Sequence, residues 1–104
     1  MSENNEPIFS VLTNKGSYTV SGAGDTEFNG TYTEAGIHEG HPYYQFDSYY
    51  LFFDVNYFDS WALAEFLDDT PFYIQDAFGD SSDPRTSYAV WETAFGGSPP
   101  PTVT

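Results

Sequence analysis

The feature that most constrains this chain is its aromatic content, which amounts to a fifth of all residues. The 104 residues include ten Phe, nine Tyr and two Trp, many of them in short runs. Aromatic side chains bury roughly 150–250 Å² each, so a small fold needs few of them for a stable core. Disordered chains are poor in aromatic residues, and we therefore expect one folded domain.

Short segments that alternate or are rich in aromatics, separated by turn signals, predict an all-β fold. Residues 43–46 and 49–53 are separated only by Asp47-Ser48, which favours a tight hairpin. Asn29-Gly30 is a strong signal for a type I′ turn, because both central residues of that turn have positive φ. We expect a small antiparallel sandwich or barrel of about six to seven short strands. Further candidate strands cover residues 8–12, 18–21, 31–33, 61–67, 72–75 and 88–95, of which the run at 8–12 could be the first strand.

The two ends of the chain differ from its body. Residues 1–7 are polar and acidic and predict a flexible tail. Residues 96–104 contain Gly-Gly and three consecutive prolines, which favour an extended polyproline II tail. The β domain is therefore expected over residues 8–95. We expect neither a membrane span, which needs roughly 20 apolar residues, nor a signal peptide at the start.

The charge of the chain is lopsided. Sixteen acidic residues face only Lys15 and Arg85, for a formal net charge of −14. Contact with nucleic-acid phosphates or with an anionic membrane surface requires several cations, so the composition excludes both. A basic protein partner, a cation site, a high-salt setting and simple solubility all remain open.

Residues typical of catalysis are sparse. His38 and His41 stand three apart with Gly40 between them and Pro42 after them, whereas metalloprotease histidines stand four apart on a helix. The chain has no cysteine and no nucleophile elbow or phosphate-binding loop. We interpret the two histidines as surface-turn residues and predict a non-enzymatic protein without a cofactor.

Two clusters of oxygen-bearing residues are weak candidates for a calcium site. Asp76, Asp80 and Asp83 lie close together in a loop, but their spacing does not match that of an EF-hand. Asp54, Asn56 and Asp59 form a second, looser cluster. The alternative is a solvated loop in which Asp and Ser side chains bond their own backbone.

The tyrosines of the central segment indicate a binding surface. Strand alternation sends neighbouring tyrosines to opposite faces, so some rings lie on the face away from the core or under a second chain. The alternative is one compact sandwich that covers both faces. The candidate surface for a partner or a glycan consists of Tyr49, Tyr50, Tyr57 and Trp61.

Several short motifs occur in an order that resembles a small β-rich repeat domain of phage structural and tail proteins and of multidomain bacterial and protist proteins. The motifs are VSGAG at residues 20–24, NGTYT at 29–33, HPYY at 41–44, Trp61, Phe72-Tyr73, Trp91 and PPPTV at 99–103. The chain departs from the pattern in its aromatic-rich residues 47–58 and in the Ala-Leu-Ala after Trp61. The resemblance implies a fold and a setting, and it implies no reaction.

We therefore expect a structural protein of a phage virion, such as a head decoration or fibre-like component. Its partners would be other virion proteins, and it would form a homo-oligomer or bind a lattice. The alternative is a glycan-binding adhesion module that uses exposed Tyr and Trp side chains.

Overall fold

The computed structural model describes residues 16–57, 59–76, 79 and 81–104. Within these residues, eight strands form one antiparallel sheet that curls into a nearly closed barrel. Their order across the sheet is β7-β6-β5-β4-β3-β2-β1-β8, and the expected all-β fold is confirmed. The strands are β1 (Ser17–Ser21), β2 (Gly30–His38), β3 (His41–Phe46), β4 (Tyr49–Asp54), β5 (Ser60–Ala64), β6 (Tyr73–Gln75), β7 (Trp91–Thr93) and β8 (Thr102–Val103).

The seam of the barrel lies between the edge strands β7 and β8, and residues 83–86 span it. The backbone N–H of Thr86 donates to the carbonyl of Val103 at 2.8 Å. The N–H of Val103 donates in turn to the hydroxyl of Thr86 at 2.7 Å. On the other side, Nε1 of Trp91 donates to the carbonyl of Pro84 at 2.7 Å. The two bonds to Val103 satisfy backbone groups at the β8 edge that would otherwise remain open for pairing, and the bond from Trp91 fixes residues 83–86 beside β7.

Aromatic rings fill the barrel interior. Tyr18 and Tyr44 pack edge to face with ring centroids 4.9 Å apart. The hydroxyl of Tyr32 donates to the carbonyl of Phe28 at 2.7 Å, and burial raises the pKa of that tyrosine. The hydroxyl of Tyr73 donates to Gly97 at 2.6 Å. The interior tyrosines thus combine apolar packing with satisfied polar groups, which a buried hydroxyl requires.

A second apolar cluster lies on the outer face of the sheet. Its buried members are Phe52, Ala62, Ala64 and Ile74, and the side chain of Leu67 packs against them. Residues 65–72, which connect β5 to β6, therefore lie against the outer face. The predicted alternation of neighbouring tyrosines between the two faces of the sheet is confirmed. Tyr44 and Tyr49 pack with the interior cluster, whereas Tyr43 and Tyr50 pack with the outer one.

The turns agree only partly with the predictions. The hairpin at Asp47-Ser48 is confirmed by the pairing of Phe46 with Tyr49. The prediction of a type I′ turn at Asn29-Gly30 was wrong, because Asn29 is extended and follows a 3-10 turn at Thr26–Phe28. Positive φ at both central residues occurs instead at Glu39 and Gly40, between β2 and β3.

The C-terminal residues contribute to the sheet. Val103 pairs with Val20 of β1 and is buried, as is Pro101, so residues 96–104 do not simply extend from the domain. Two strands are shorter than predicted. The strand expected over residues 61–67 ends at Ala64, and the one expected over 88–95 covers only Trp91–Thr93. The predicted tail at 1–7 and strand at 8–12 lie outside the described residues.

Candidate functional site

A cleft of about 260 Å³ opens on the outer surface between the β4–β5 turn and residues 65–72. We call it the acidic cleft. Three carboxyl groups, one amide, two hydroxyls and two aromatic rings contribute to its lining. The lining residues are Asp54, Asn56, Tyr57, Asp68, Asp69, Thr70, Pro71 and Phe95.

The β4–β5 turn provides one wall of the acidic cleft. Asp54 ends β4 and is only 2% exposed. Its Oδ1 accepts a hydrogen bond from the backbone N–H of Asn56 at 2.9 Å, and its carbonyl accepts one from Tyr57 at 3.3 Å. This Asx-type turn places the exposed Asn56 and the half-buried Tyr57 on the cleft.

The opposite wall comes from residues 65–72. Leu67 anchors this segment on the outer apolar cluster, and the N–H of Asp69 donates to the carbonyl of Phe66 at 3.2 Å. Oδ1 of Asp69 accepts from the N–H of Thr70 at 2.8 Å. Phe95 closes the end of the cleft with a ring that is 67% exposed.

The electrostatics of the cleft differ between floor and walls. Burial raises the pKa of Asp54, and the charge of Asp68 raises it further, while the N–H of Asn56 and the charge of His38 oppose the shift. Asp68 and Asp69 are exposed on the walls. The cleft therefore combines a buried carboxyl group that holds its proton more firmly than usual with two solvent-exposed carboxylates.

His38 and Glu39 lie beside the acidic cleft. Nε2 of His38 is 2.9 Å from Oδ2 of Asp68. The ring of His38 packs edge-on to Phe52, whereas that of His41 packs against Phe53. The two histidines flank a tight turn, as the sequence predicts, but each contacts a different aromatic ring and both are half-buried.

The four aromatic residues predicted to bind a partner do not form one surface. Tyr57 lines the acidic cleft. Tyr50 packs near Tyr43 on the outer face, and Tyr49 lies in a separate hollow, against Phe28. Trp61 is 3% exposed, because strand alternation turns its ring into the barrel interior, so its expected surface position is corrected.

The calcium candidates are also dispersed. Asp83 is buried, and Arg85 holds its carboxylate through Nη2 at 2.7 Å and Nε at 2.9 Å. Asp76 is exposed, and Asp80 lies outside the described residues. Because Arg85 already neutralises Asp83, that carboxylate is a poor ligand for a cation.

A larger groove of about 400 Å³ follows the barrel seam. Among the described residues that line it, Arg85 has the only charged side chain, which is engaged with Asp83. The remaining lining residues are Thr86, Ser87, Thr102, Val103 and Thr104. This groove offers little chemistry for recognition, so the acidic cleft is the stronger candidate.

Sequence reasoning missed the loop residues of the cleft. In the sequence, Asp68, Asp69 and Thr70 lie between two predicted strands, and Phe95 ends another. Neither position indicates a binding site. The one usable signal was the looser cluster of Asp54, Asn56 and Asp59, whose first two members line the cleft.

Comparison of the chain with protein-family models, curated proteins and solved structures gave no match. Among the described residues, no helix is long and apolar enough to cross a membrane.

Proposed function

We propose that this domain is a non-enzymatic binding module that holds a neutral glycan in the acidic cleft. The observation that carries the proposal is the combination of Tyr57 and Phe95 with three carboxylates around one concave surface. Pocket lining of this kind pairs apolar contact with a few convergent polar groups, which is typical of small-molecule sites.

The chemistry of the lining suits a sugar. Ionised carboxylates accept hydrogen bonds from hydroxyl groups, and such bonds are roughly twice as strong as neutral ones. The side-chain amide of Asn56 offers both donors and an acceptor. The exposed ring of Phe95 can pack against the C–H face of a pyranose. A volume of about 260 Å³ is slightly below the range of drug-sized ligand pockets, about 300–1,000 Å³, and so fits a short glycan segment.

The charge of the cleft determines which glycans it accepts. Asp68 and Asp69 are exposed at the opening, and the whole chain carries a formal net charge of −14. Sialylated or sulfated glycans are repelled by this field, whereas neutral glycans and amino sugars are not. We therefore expect binding to neutral glycans and none to anionic ones.

A glycan array probed with the fluorescently labelled chain tests this function. Phe95→Ala should weaken binding to the neutral glycans by roughly tenfold. Fully burying a Phe side chain contributes about 1.5–3 kcal/mol, a sugar covers only part of the ring, and about 1.4 kcal/mol is a factor of ten in affinity. Phe66→Ala is the matched control, because Phe66 is 64% exposed but lies outside the cleft.

Three results would contradict the proposal. They are binding to anionic glycans alone, equal effects of the two Phe substitutions, and the absence of any glycan ligand. Cleavage of a bound glycan during the assay would contradict the non-enzymatic part.

We also propose a setting for the protein, as a structural component of a phage particle. The support is the sequence resemblance together with six large apolar side chains that are exposed among the described residues. Three of the six are aromatic, and protein–protein interfaces are enriched in aromatic residues. The six residues are Ile37, Val55, Phe66, Tyr88, Val90 and Phe95.

Mass spectrometry of purified particles tests this setting, and absence of the protein from them would refute it. Because the subunits repel each other, we expect self-association to strengthen with ionic strength. Light scattering at increasing salt measures this, and a monomer under all conditions would argue against assembly.

A further inference from the structure

One imidazole and two carboxylates converge at the edge of the acidic cleft. His38 ends β2, Glu39 begins the turn after it, and Asp68 reaches the same point from the β5–β6 connection. One ligand atom from each of the three side chains lies within 4.8 Å of the other two. The fold thus joins a hairpin end and a distant loop into one group of potential metal ligands.

The contact between His38 and Asp68 indicates a place for a cation. Nε2 of His38 is buried and makes no hydrogen bond, although Oδ2 of Asp68 is 2.9 Å away. A proton or a metal ion between the ring nitrogen and the carboxylate oxygen accounts for this distance, and the absence of a hydrogen bond with good geometry favours the metal ion. Ligand atoms held at about 2.0–2.1 Å from one ion are roughly 2.8–3.4 Å apart when they subtend angles of about 90–110°. The observed spacing therefore matches two ligands of the same ion.

The surroundings favour positive charge at this point. Glu39 is exposed, so its flexible side chain can close the remaining distance. Asp54 lines the same cleft as Asp68, and its carboxylate adds further negative potential when it is ionised. An imidazole with carboxylates suits zinc and related first-row ions, whereas calcium and magnesium take oxygen ligands.

We propose that His38, Glu39 and Asp68 bind a divalent transition-metal ion, with Zn²⁺ as the representative. A three-residue set leaves a coordination position for water or a further ligand. The proposal goes beyond the glycan function and does not depend on it, because metal binding is measured without any sugar.

Isothermal titration calorimetry of the full chain with Zn²⁺, in excess Ca²⁺ at physiological ionic strength, tests the site. The excess Ca²⁺ occupies surface carboxylates that attract any cation, so that they do not contribute to the measured binding of Zn²⁺. We expect one saturable Zn²⁺ site per chain, and His38→Gln should weaken it by more than the roughly 10–100-fold that loss of an outer-shell partner costs. His41→Gln is the matched control and should bind Zn²⁺ like the unaltered chain.

Two calorimetric results would overturn the site: no saturable binding, or equal affinities for the His38→Gln variant and the unaltered chain. A measurement on the unaltered chain guards against a variant that fails to fold. In ¹⁵N spectra of the imidazoles, Zn²⁺ should shift Nε2 of His38 and leave His41 unchanged. Shifts at both histidines, or at neither, would refute the assignment.

Discussion

At the scale of single residues, Gly30 shows how closely the barrel is packed. A Cβ atom at this position would lie 2.5 Å from Cζ of Phe46, and that ring also packs against Tyr32 at 5.5 Å. We predict that Gly30→Ala lowers the free energy of unfolding by about 1–3 kcal/mol, the usual cost of overpacking, as measured by urea denaturation. In a Phe46→Leu background the same substitution should cost less. An equal cost in both backgrounds would show that the ring is not the obstacle.

Asp54 is the residue whose ionisation opposes folding. Because burial raises its pKa above the ordinary value of 3.8, the unfolded chain loses this proton at lower pH than the folded chain does. Its contribution to stability therefore falls as pH rises from about 4 through the raised pKa, and then stays constant. Asp54→Asn removes this loss of stability. Its side-chain carbonyl oxygen can still accept the hydrogen bond from the backbone N–H of Asn56.

We predict that Asp54→Asn raises the melting temperature at pH 7, and that this gain shrinks as the pH falls through the raised pKa of Asp54 and is lost below about pH 4. Asp69→Asn is the control, since Asp69 lies in the same cleft but is exposed. Thermal melts by circular dichroism across this pH range measure both variants. A gain for Asp54→Asn that does not depend on pH would contradict the role of its ionisation.

At the scale of elements, the short strand β8 connects the C-terminal residues to the barrel. Val103 is 1% exposed, and Thr104 exchanges two backbone hydrogen bonds with Thr19, at 2.9 and 3.0 Å. We predict that Val103→Ala lowers the free energy of unfolding by about 1.5–3 kcal/mol, whereas Thr102→Ala, at an exposed position, changes it by less than about 0.5 kcal/mol. Denaturant titration distinguishes the two. Equal, small effects would mean that the C-terminal residues are dispensable.

Elements governed by local chemistry could be predicted, and those governed by distant contacts could not. The Asp47-Ser48 hairpin followed from two aromatic runs with a two-residue gap, and it is present. At Asn29-Gly30 the glycine is needed because the Phe46 ring approaches the backbone closely, and not because the chain turns there. The prolines before β8 indicated a tail, because the sequence does not reveal that Val103 lies beside Val20.

At the scale of the whole molecule, the acidic cleft depends on one long connection that folds back. The signals around Asp54 and Asn56 are local and were recognised as an oxygen cluster. Asp68 and Phe95 join them only because residues 65–72 lie against the outer face and the chain after β7 returns beside Pro71. The spacing of these residues in the sequence does not show that they lie together. The residues that line the cleft could therefore be identified only from the structure.

The net charge of the molecule also has a measurable effect on its stability. Arg85 pairs with Asp83, and Nε2 of His38 lies 2.9 Å from Oδ2 of Asp68, but the chain has sixteen acidic residues against only Lys15 and Arg85. Repulsion between carboxylates is screened over about 8 Å at physiological ionic strength. We predict that the melting temperature at pH 7 rises by a few degrees from low to moderate NaCl. Near the sequence pI of about 4.1 the effect should vanish, and a flat response at pH 7 would show that the charges are well separated.

The central claim, that the acidic cleft binds a neutral glycan, is tested most directly by amide chemical-shift mapping. The ¹⁵N-labelled chain is titrated with neutral monosaccharides and, separately, with a sialylated sugar. We predict saturable shifts at Asn56, Tyr57, Thr70 and Phe95 with at least one neutral sugar, and none with the sialylated one. Absence of shifts with every neutral sugar, or shifts confined to the separate hollow around Tyr49 and Phe66, would contradict the claim.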